Sequence, residues 1–319
     1  MRSRRIFLLF LGACSVAGFA SGVTTTFLSS AHVEEPHPDE GISMMPPASS
    51  LALEGVREMK EEITALSWAP SQKRLAVSAG AQVSLWTADL AFRQTLAFPM
   101  RCSLLACSDQ YIAASDQELV VYDWKSGHYV EIPAVPRPIT GLAWVADTLL
   151  CACDQQLISW RQYRLRQIAV SRAPIQRLAV VADRCAIAVG QEVMLLQGAS
   201  WHEVATIPLS LPVRALAWSP DGRYLAIADE GGELALYRGP RQEKRVLSEH
   251  IASLAWSADG KCFISIGEGG LTVWDTSLHQ QAKTLYQGQE VVWISSNHVL
   301  CSNKKQLTLW KQNEKEAAL

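Results

Sequence analysis

Residues 213–227 read VRALAWSPDGRYLAI and residues 251–265 read IASLAWSADGKCFIS, and the two segments align without a gap. Each is an apolar run, then Ser-Pro-Asp-Gly or Ser-Ala-Asp-Gly, then a second apolar run. Proline suits the second position of a tight turn, and glycine tolerates the positive φ that follows. Each segment therefore reads as two strands joined by a hairpin.

The same frame recurs outward along the chain in ITALSWAPSQKRLAV (63–77), ITGLAWVADTLLCAC (139–153) and IQRLAVVADRCAIAV (175–189). CSLLACSDQYIAAS (102–115) and VVWISSNHVLCS (291–302) are looser copies. With the leucine before the small residue as reference, the copies fall at Leu66, Leu105, Leu142, Leu178, Leu216 and Leu254, with Trp293 in the seventh place. The separations of 39, 37, 36, 38, 38 and 39 residues hold a steady period, the signature of a repeat architecture. A second register, from QVSLW (82–86) to QLTLW (306–310), ends at Trp86, Tyr122, Trp160, Leu196, Tyr237, Trp274 and Trp310 and again counts seven. Apolar residues alternate or run on for four to six positions between turns, and helical periodicity is nearly absent after Ile63.

Trp218-Ser219-Pro220-Asp221-Gly222-Arg223-Tyr224-Leu225-Ala226, Trp256-Ser257-Ala258-Asp259-Gly260 and the dipeptide Trp274-Asp275, echoed by Tyr122-Asp123, resemble WD-repeat β-propellers over residues 51–313. The resemblance implies an all-β fold, a seven-bladed propeller of four-stranded antiparallel blades around a central channel. It also departs from the family pattern. No Gly-His stands four residues before the first-strand apolar position, where Met59, Leu209 and Leu247 are found instead, so the buried His-Asp network of typical members is missing.

Only nine residues, KQNEKEAAL, follow Trp310, too few and too charged for the outermost strand of a seventh blade. An open sheet edge would result. SLALEGVREMK, residues 50–60, is the expected donor: an N-terminal strand closing the last blade. The alternative is a short surface helix over residues 51–62, because Ala, Leu, Glu, Met and Lys are good helix formers.

At the other end, Arg2, Arg4 and Arg5 precede an uncharged stretch running from Ile6 past Ala31. A basic segment followed by an apolar one is the layout of an export signal or membrane anchor, here residues 1–31. Arg4, Arg5, Phe7 and Leu8 resemble the twin-arginine export motif, with Leu9 where lysine is usual. Leu11-Gly12-Ala13-Cys14 resembles a lipobox that would make Cys14 a lipidation site; cleavage after Ala20 or Ala31 also satisfies the small-residue rule, and a transit peptide is the competing reading. Residues 32–50, rich in Pro, Ser and acid, read as a disordered tether, and residues 314–319 as a C-terminal tail.

The chain has 319 residues, is 49% hydrophobic and carries a formal charge of -2, which gives no electrostatic footprint for nucleic acid. Cys102, Cys107, Cys151, Cys153, Cys185, Cys262 and Cys301 fall mostly where other repeats carry Ala, Ile, Leu or Val and read as small buried hydrophobes. Cys102 with Cys107 is a candidate disulfide for an oxidising compartment. Cys151 and Cys153 share one strand face about 7 Å apart, too far for bridging. No metal site, cofactor motif or catalytic constellation is recognised; of the seven histidines two lie in the tether and five at or near turns or blade edges.

The expected function is an exported, membrane-associated, non-enzymatic scaffold whose top-face loops hold a protein partner in the periplasm or on the trans side of the membrane. Trp124, Tyr163 with Arg161, Arg164 and Arg166, and Trp201 are the candidate contact residues, because exposed aromatics and arginines dominate interface energetics. An accessory or redox protein of an exported cofactor-assembly pathway is the alternative; a propeller hydrolase or lectin is the second.

Overall fold

A computed structural model describes residues 50–69, 72–239, 241–247 and 250–313. The export signal at Arg4, Arg5, Phe7 and Leu8, the lipidation site at Cys14, nearly all of the tether and the 314–319 tail lie outside the described residues. No helix occurs among the described residues; twenty-eight strands form seven four-stranded sheets.

Each sheet is one blade of antiparallel strands, named a to d from the innermost strand outward. Blade 1 runs from Ile63 to Ala97, blade 2 from Leu104 to Val130, blade 3 from Ile139 to Val170 and blade 4 from Ile175 to Pro208. Blade 5 runs from Val213 to Val246 and blade 6 from Ile251 to Thr284. Strands a of successive blades are neighbours, and those of blades 1 and 7 also meet, so the ring is closed with strands a innermost.

Blade 7 takes strands a, b and c from Glu290–Trp293, His298–Asn303 and Gln306–Gln312, and strand d from Leu51–Glu58 at the start of the chain. The expected closure is therefore present, and the helix is not. Leu51 to Glu58 pair antiparallel with Gln312 to Gln306 around a bulge at Glu54. Ser50 is joined to Asn313 as well, through the Asn313 N–H to the Ser50 carbonyl at 2.9 Å. Good helix formers become a strand here because the edge of strand c offers backbone partners that an isolated helix would not gain.

The a–b turns explain the quoted motif. In blade 5 the Gly222 N–H donates to the Ser219 carbonyl at 2.9 Å, and φ at Gly222 is +67°. Asp221 Oδ1 accepts the Arg223 N–H at 3.0 Å, while Ser219 Oγ accepts the Tyr224 N–H at 2.9 Å. Ser257, Asp259, Lys261 and Cys262 repeat these contacts in blade 6. Serine and aspartate thus satisfy turn amides that strand pairing leaves over.

The core lies between blades. Leu225 and Ile227 of strand b pack toward blade 4, whereas Ala226 and Ala228 pack toward blade 6. Both faces being buried, such strands read as continuous apolar runs. Leu149, Cys151 and Cys153 face blade 2 together, and Leu150 and Ala152 face blade 4. Across the closure, Ile63, Leu66, Leu75 and Val77 of blade 1 pack on Ile294, Leu300, Leu307 and Leu309 of blade 7.

One register differs from the sequence reading. Trp293 pairs with Val299, as Trp256 pairs with Phe263 and Trp144 with Leu149. Val291 therefore holds the seventh reference place and Trp293 the position two further on. The short, glycine-free turn of blade 7 had masked the offset. The second register holds in all seven blades, each of its members pairing with a buried strand b residue, for instance Trp86 with Leu75 and Trp310 with Val299.

Candidate functional site

Trp124, Tyr163 and Trp201 stand in the c–d turns of blades 2, 3 and 4. Antiparallel pairing puts c–d turns on the same face as a–b turns. Taking the face with the inter-blade connections as the top, the three lie on the opposite face, which corrects the expected placement on top-face loops.

The three side chains differ in what they do. Trp124 is half-buried against the apolar cluster between blades 1 and 2, and the Arg74 guanidinium of blade 1 sits 5.5 Å from its ring centroid. Trp201 is half-buried against the Cys185 and Leu196 cluster. Both therefore mainly join elements of the disc. Tyr163 is 66% exposed and rests edge-on against Trp160, centroids 6.1 Å apart. Arg164 and Arg166 lie two apart on the outer strand of blade 3 and are exposed. Tyr163, Arg164 and Arg166 form a continuous exposed rim.

Beside that rim a cleft of about 420 Å³ opens between blades 2 and 3, lined by the turn from Cys107 to Tyr111 and by Trp144, Ala146 and Asp147. Tyr111 stacks on Trp144 with centroids 5.4 Å apart and planes at 14°, and both meet the edge of the fully buried Trp160. Four rings, ending with Tyr163, run from the core to the surface. Burial raises the Tyr111 hydroxyl above its ordinary pKa, and the nearby Asp123 carboxylate, Tyr163 and Asp147 add to that rise. Asp147 Oδ2 accepts from Arg161 Nε at 3.0 Å, with more than half of each side chain in solvent.

Tyr111 and Trp144 were not singled out from sequence. The signal was present: each occupies a repeat position, Tyr111 that of Tyr224 and Trp144 that of Trp256. The aromatic pair arises only where one blade's strand b meets the next blade's strand a.

The candidate disulfide is overturned, since Cys102 and Cys107 are free thiols, as are Cys151, Cys153, Cys185, Cys262 and Cys301. Cys102 sits in the blade 1–2 core, while Cys107 begins the turn that lines the cleft. Burial pushes Cys102 up to about 11 and Cys107 up to about 12, which suppresses the thiolate needed for exchange. Among the described residues no group of three or more His, Cys, Asp or Glu is arranged to hold a metal ion.

Comparison with known families gives two partial matches: residues 180–243 match the anaphase-promoting complex subunit 4 WD40 domain, and residues 241–275 match the WD domain, G-beta repeat. The protein is a β-propeller with WD-type repeats. A chain in a crystal structure of the mitotic checkpoint complex superposes on this WD-type propeller with a TM-score of 0.73 at 16% identity, covering 91% of this chain and 99% of that one. At that identity the likeness shows the fold alone. No curated protein matches the chain.

Proposed function

We propose that the protein is an exported, membrane-associated propeller that works as a non-enzymatic protein-binding scaffold, with the a–b and c–d turn face of blades 2 and 3 as its contact surface. The observation that carries the reading is the exposed aromatic and arginine rim at Tyr163, Arg164 and Arg166, held beside the Tyr111–Trp144 cleft by a closed ring. Loops on a rigid ring can diversify for recognition with little effect on the stacked sheets. The basic, then apolar N-terminal sequence supports delivery across a membrane, and Cys14 supports a lipid anchor.

Two experiments test this. Affinity capture from a crosslinked source-cell extract compares wild type with a Tyr163→Ala, Arg164→Ala, Arg166→Ala triple variant; recovery of every partner by the variant sinks the surface assignment. Fractionation and intact mass of the full-length chain with and without Arg4→Lys and Arg5→Lys test the address. Unchanged export of the double variant removes the twin-arginine motif alone, and a cytoplasmic unprocessed wild type removes the export reading.

A further inference from the structure

The chain carries its own comparison for the blade 2–3 cleft. At the blade 5–6 junction Tyr224 stacks on Trp256, centroids 5.9 Å apart and planes at 25°, the same pairing as Tyr111 on Trp144. There the Arg238 guanidinium lies over Tyr224, 5.4 Å from the ring centroid. Arg238 follows Tyr237, the strand c partner of Leu225; the residue in that place in blade 2 is Asp123, directly opposite Tyr111. The two junctions thus share the aromatic pair, but one supplies a guanidinium from its own strand and the other supplies a carboxylate.

We propose that the blade 2–3 cleft receives an arginine side chain from a protein partner, the guanidinium taking against Tyr111 of the Tyr111–Trp144 pair the part that Arg238 plays against Tyr224. The inference rests on the scaffold reading and names the partner's chemistry. A planar cation over an aromatic face is favourable, more so when partly desolvated. Asp123 and Asp147 both lie close enough to Tyr111 to raise its pKa, so the charge of the site matches a cation. Asp123 Oδ1 is engaged by the Lys125 and Ser126 amides, and its Oδ2 accepts from Gln110 Nε2 at 3.3 Å, a long contact that a guanidinium can replace. The Arg161 pair with Asp147 is solvent-exposed and correspondingly weak.

The test titrates full-length protein into a fluorescein-labelled Gly-Arg-Gly-Arg-Gly peptide, read by anisotropy, with citrulline replacing arginine as the neutral control. Asp123→Arg installs at blade 2 the residue that blade 5 carries and is expected to fill the cleft from within. Since it also removes a turn cap, Asp147→Arg serves as a second variant. Each is expected to weaken binding by about tenfold or more, with Glu203→Lys on blade 4 within about twofold of wild type and the citrulline peptide not saturating. Lack of saturable binding by wild type, equal binding of both peptides, or equal affinity of wild type and Asp147→Arg overturns the proposal. If Asp147→Arg still captures the partners recovered by wild type while no peptide binds, the cleft assignment falls and the scaffold stands. If wild type captures no partner at all, the scaffold reading itself fails.

Discussion

His298 Nε2 lies 3.0 Å from Glu54 Oε2, which joins strand b of the last blade to the first strand of the chain across the intervening strand c. Lys311 Nζ of strand c is 3.8 Å from the other Glu54 oxygen, and Ser295 Oγ contacts His298 Nδ1 at 2.8 Å. The acid is the bulged residue of strand d, so the irregularity that leaves Glu54 out of the pairing register accompanies its contact with both bases.

Closure depends on the backbone ladder more than on this contact. About a third of each side chain is exposed, so Glu54→Ala is expected to lower stability by no more than about 1 kcal/mol. Deleting residues 51–58 removes the whole strand d of blade 7 and uncovers its strand c edge. The melting temperature should fall by many degrees, with loss of a single cooperative transition. Similar melting of the deletion and the point variant would mean that the strand does not hold the ring.

A second connection runs between strands a. Trp144, Trp256 and Trp293 donate their indole N–H to the carbonyls of Ala106, Ala217 and Ala255 in the preceding blades, at 3.1, 3.0 and 3.2 Å. Trp218 holds the same position in blade 5, yet its buried Nε1 has no partner. Trp256→Phe should therefore cost about 1 kcal/mol more than Trp218→Phe, because only the former breaks a bond. Urea denaturation of the two variants decides it; equal losses would remove the bond from the account.

Local rules made the blades legible. Ser219-Pro220-Asp221-Gly222 specifies its turn through contacts within five residues, and a large residue toward the end of strand c, aromatic in six blades and Leu196 in blade 4, marks every blade. The missing strand d could be found by subtraction, since an unpaired edge needs a donor. What failed depends on neighbours distant in sequence. The seventh register slipped because Trp293, two places beyond Val291, was set in the place of the reference leucine, and only its pairing with Val299 shows the offset. The cleft was invisible because Tyr111 and Trp144 belong to different repeats, and period alone does not say which faces meet. Trp124 and Trp201 look like contact residues in a string of letters, but turns on a disc rim also pack inward.

The buried tryptophans near the end of strand c differ in their polar partners. Trp86 donates to Ser84 Oγ and Trp274 to Ser265 Oγ, both at 2.8 Å. Cys151 holds the place of Ser265 in blade 3, and there Trp160 Nε1 is buried without a partner. Ser265→Ala removes the serine acceptor of the Trp274 indole and should cost about 1 kcal/mol. Cys151→Ser supplies an acceptor where one is lacking and should be near neutral, whereas Cys185→Ser, buried in an apolar cluster, should cost about 1–2 kcal/mol. Thermal melts of the three variants check the order; a Cys151→Ser loss as large as that of Cys185→Ser would refute it.

The last prediction concerns the inner end of the ring. Glu290 opens strand a of blade 7 at the position that Arg177 holds in blade 4, opposite Ser302 and Ala188 respectively. Burial pushes the Glu290 carboxyl from 4.5 up to about 7, against the pull of the Arg177 guanidinium. The folded state then holds a proton that the unfolded state has released, so this contribution is fully present below pH 4.5 and is lost as pH rises through about 7. Its size is at most of the order of 3 kcal/mol, from a rise of about 2.5 units. Glu290→Gln keeps the shape and cannot ionise, so it should match wild type near pH 4.5 and exceed it by about 2 kcal/mol at pH 8. Urea midpoints of both proteins across that range measure the difference. A constant offset between them would show that the carboxyl ionises normally in the folded ring.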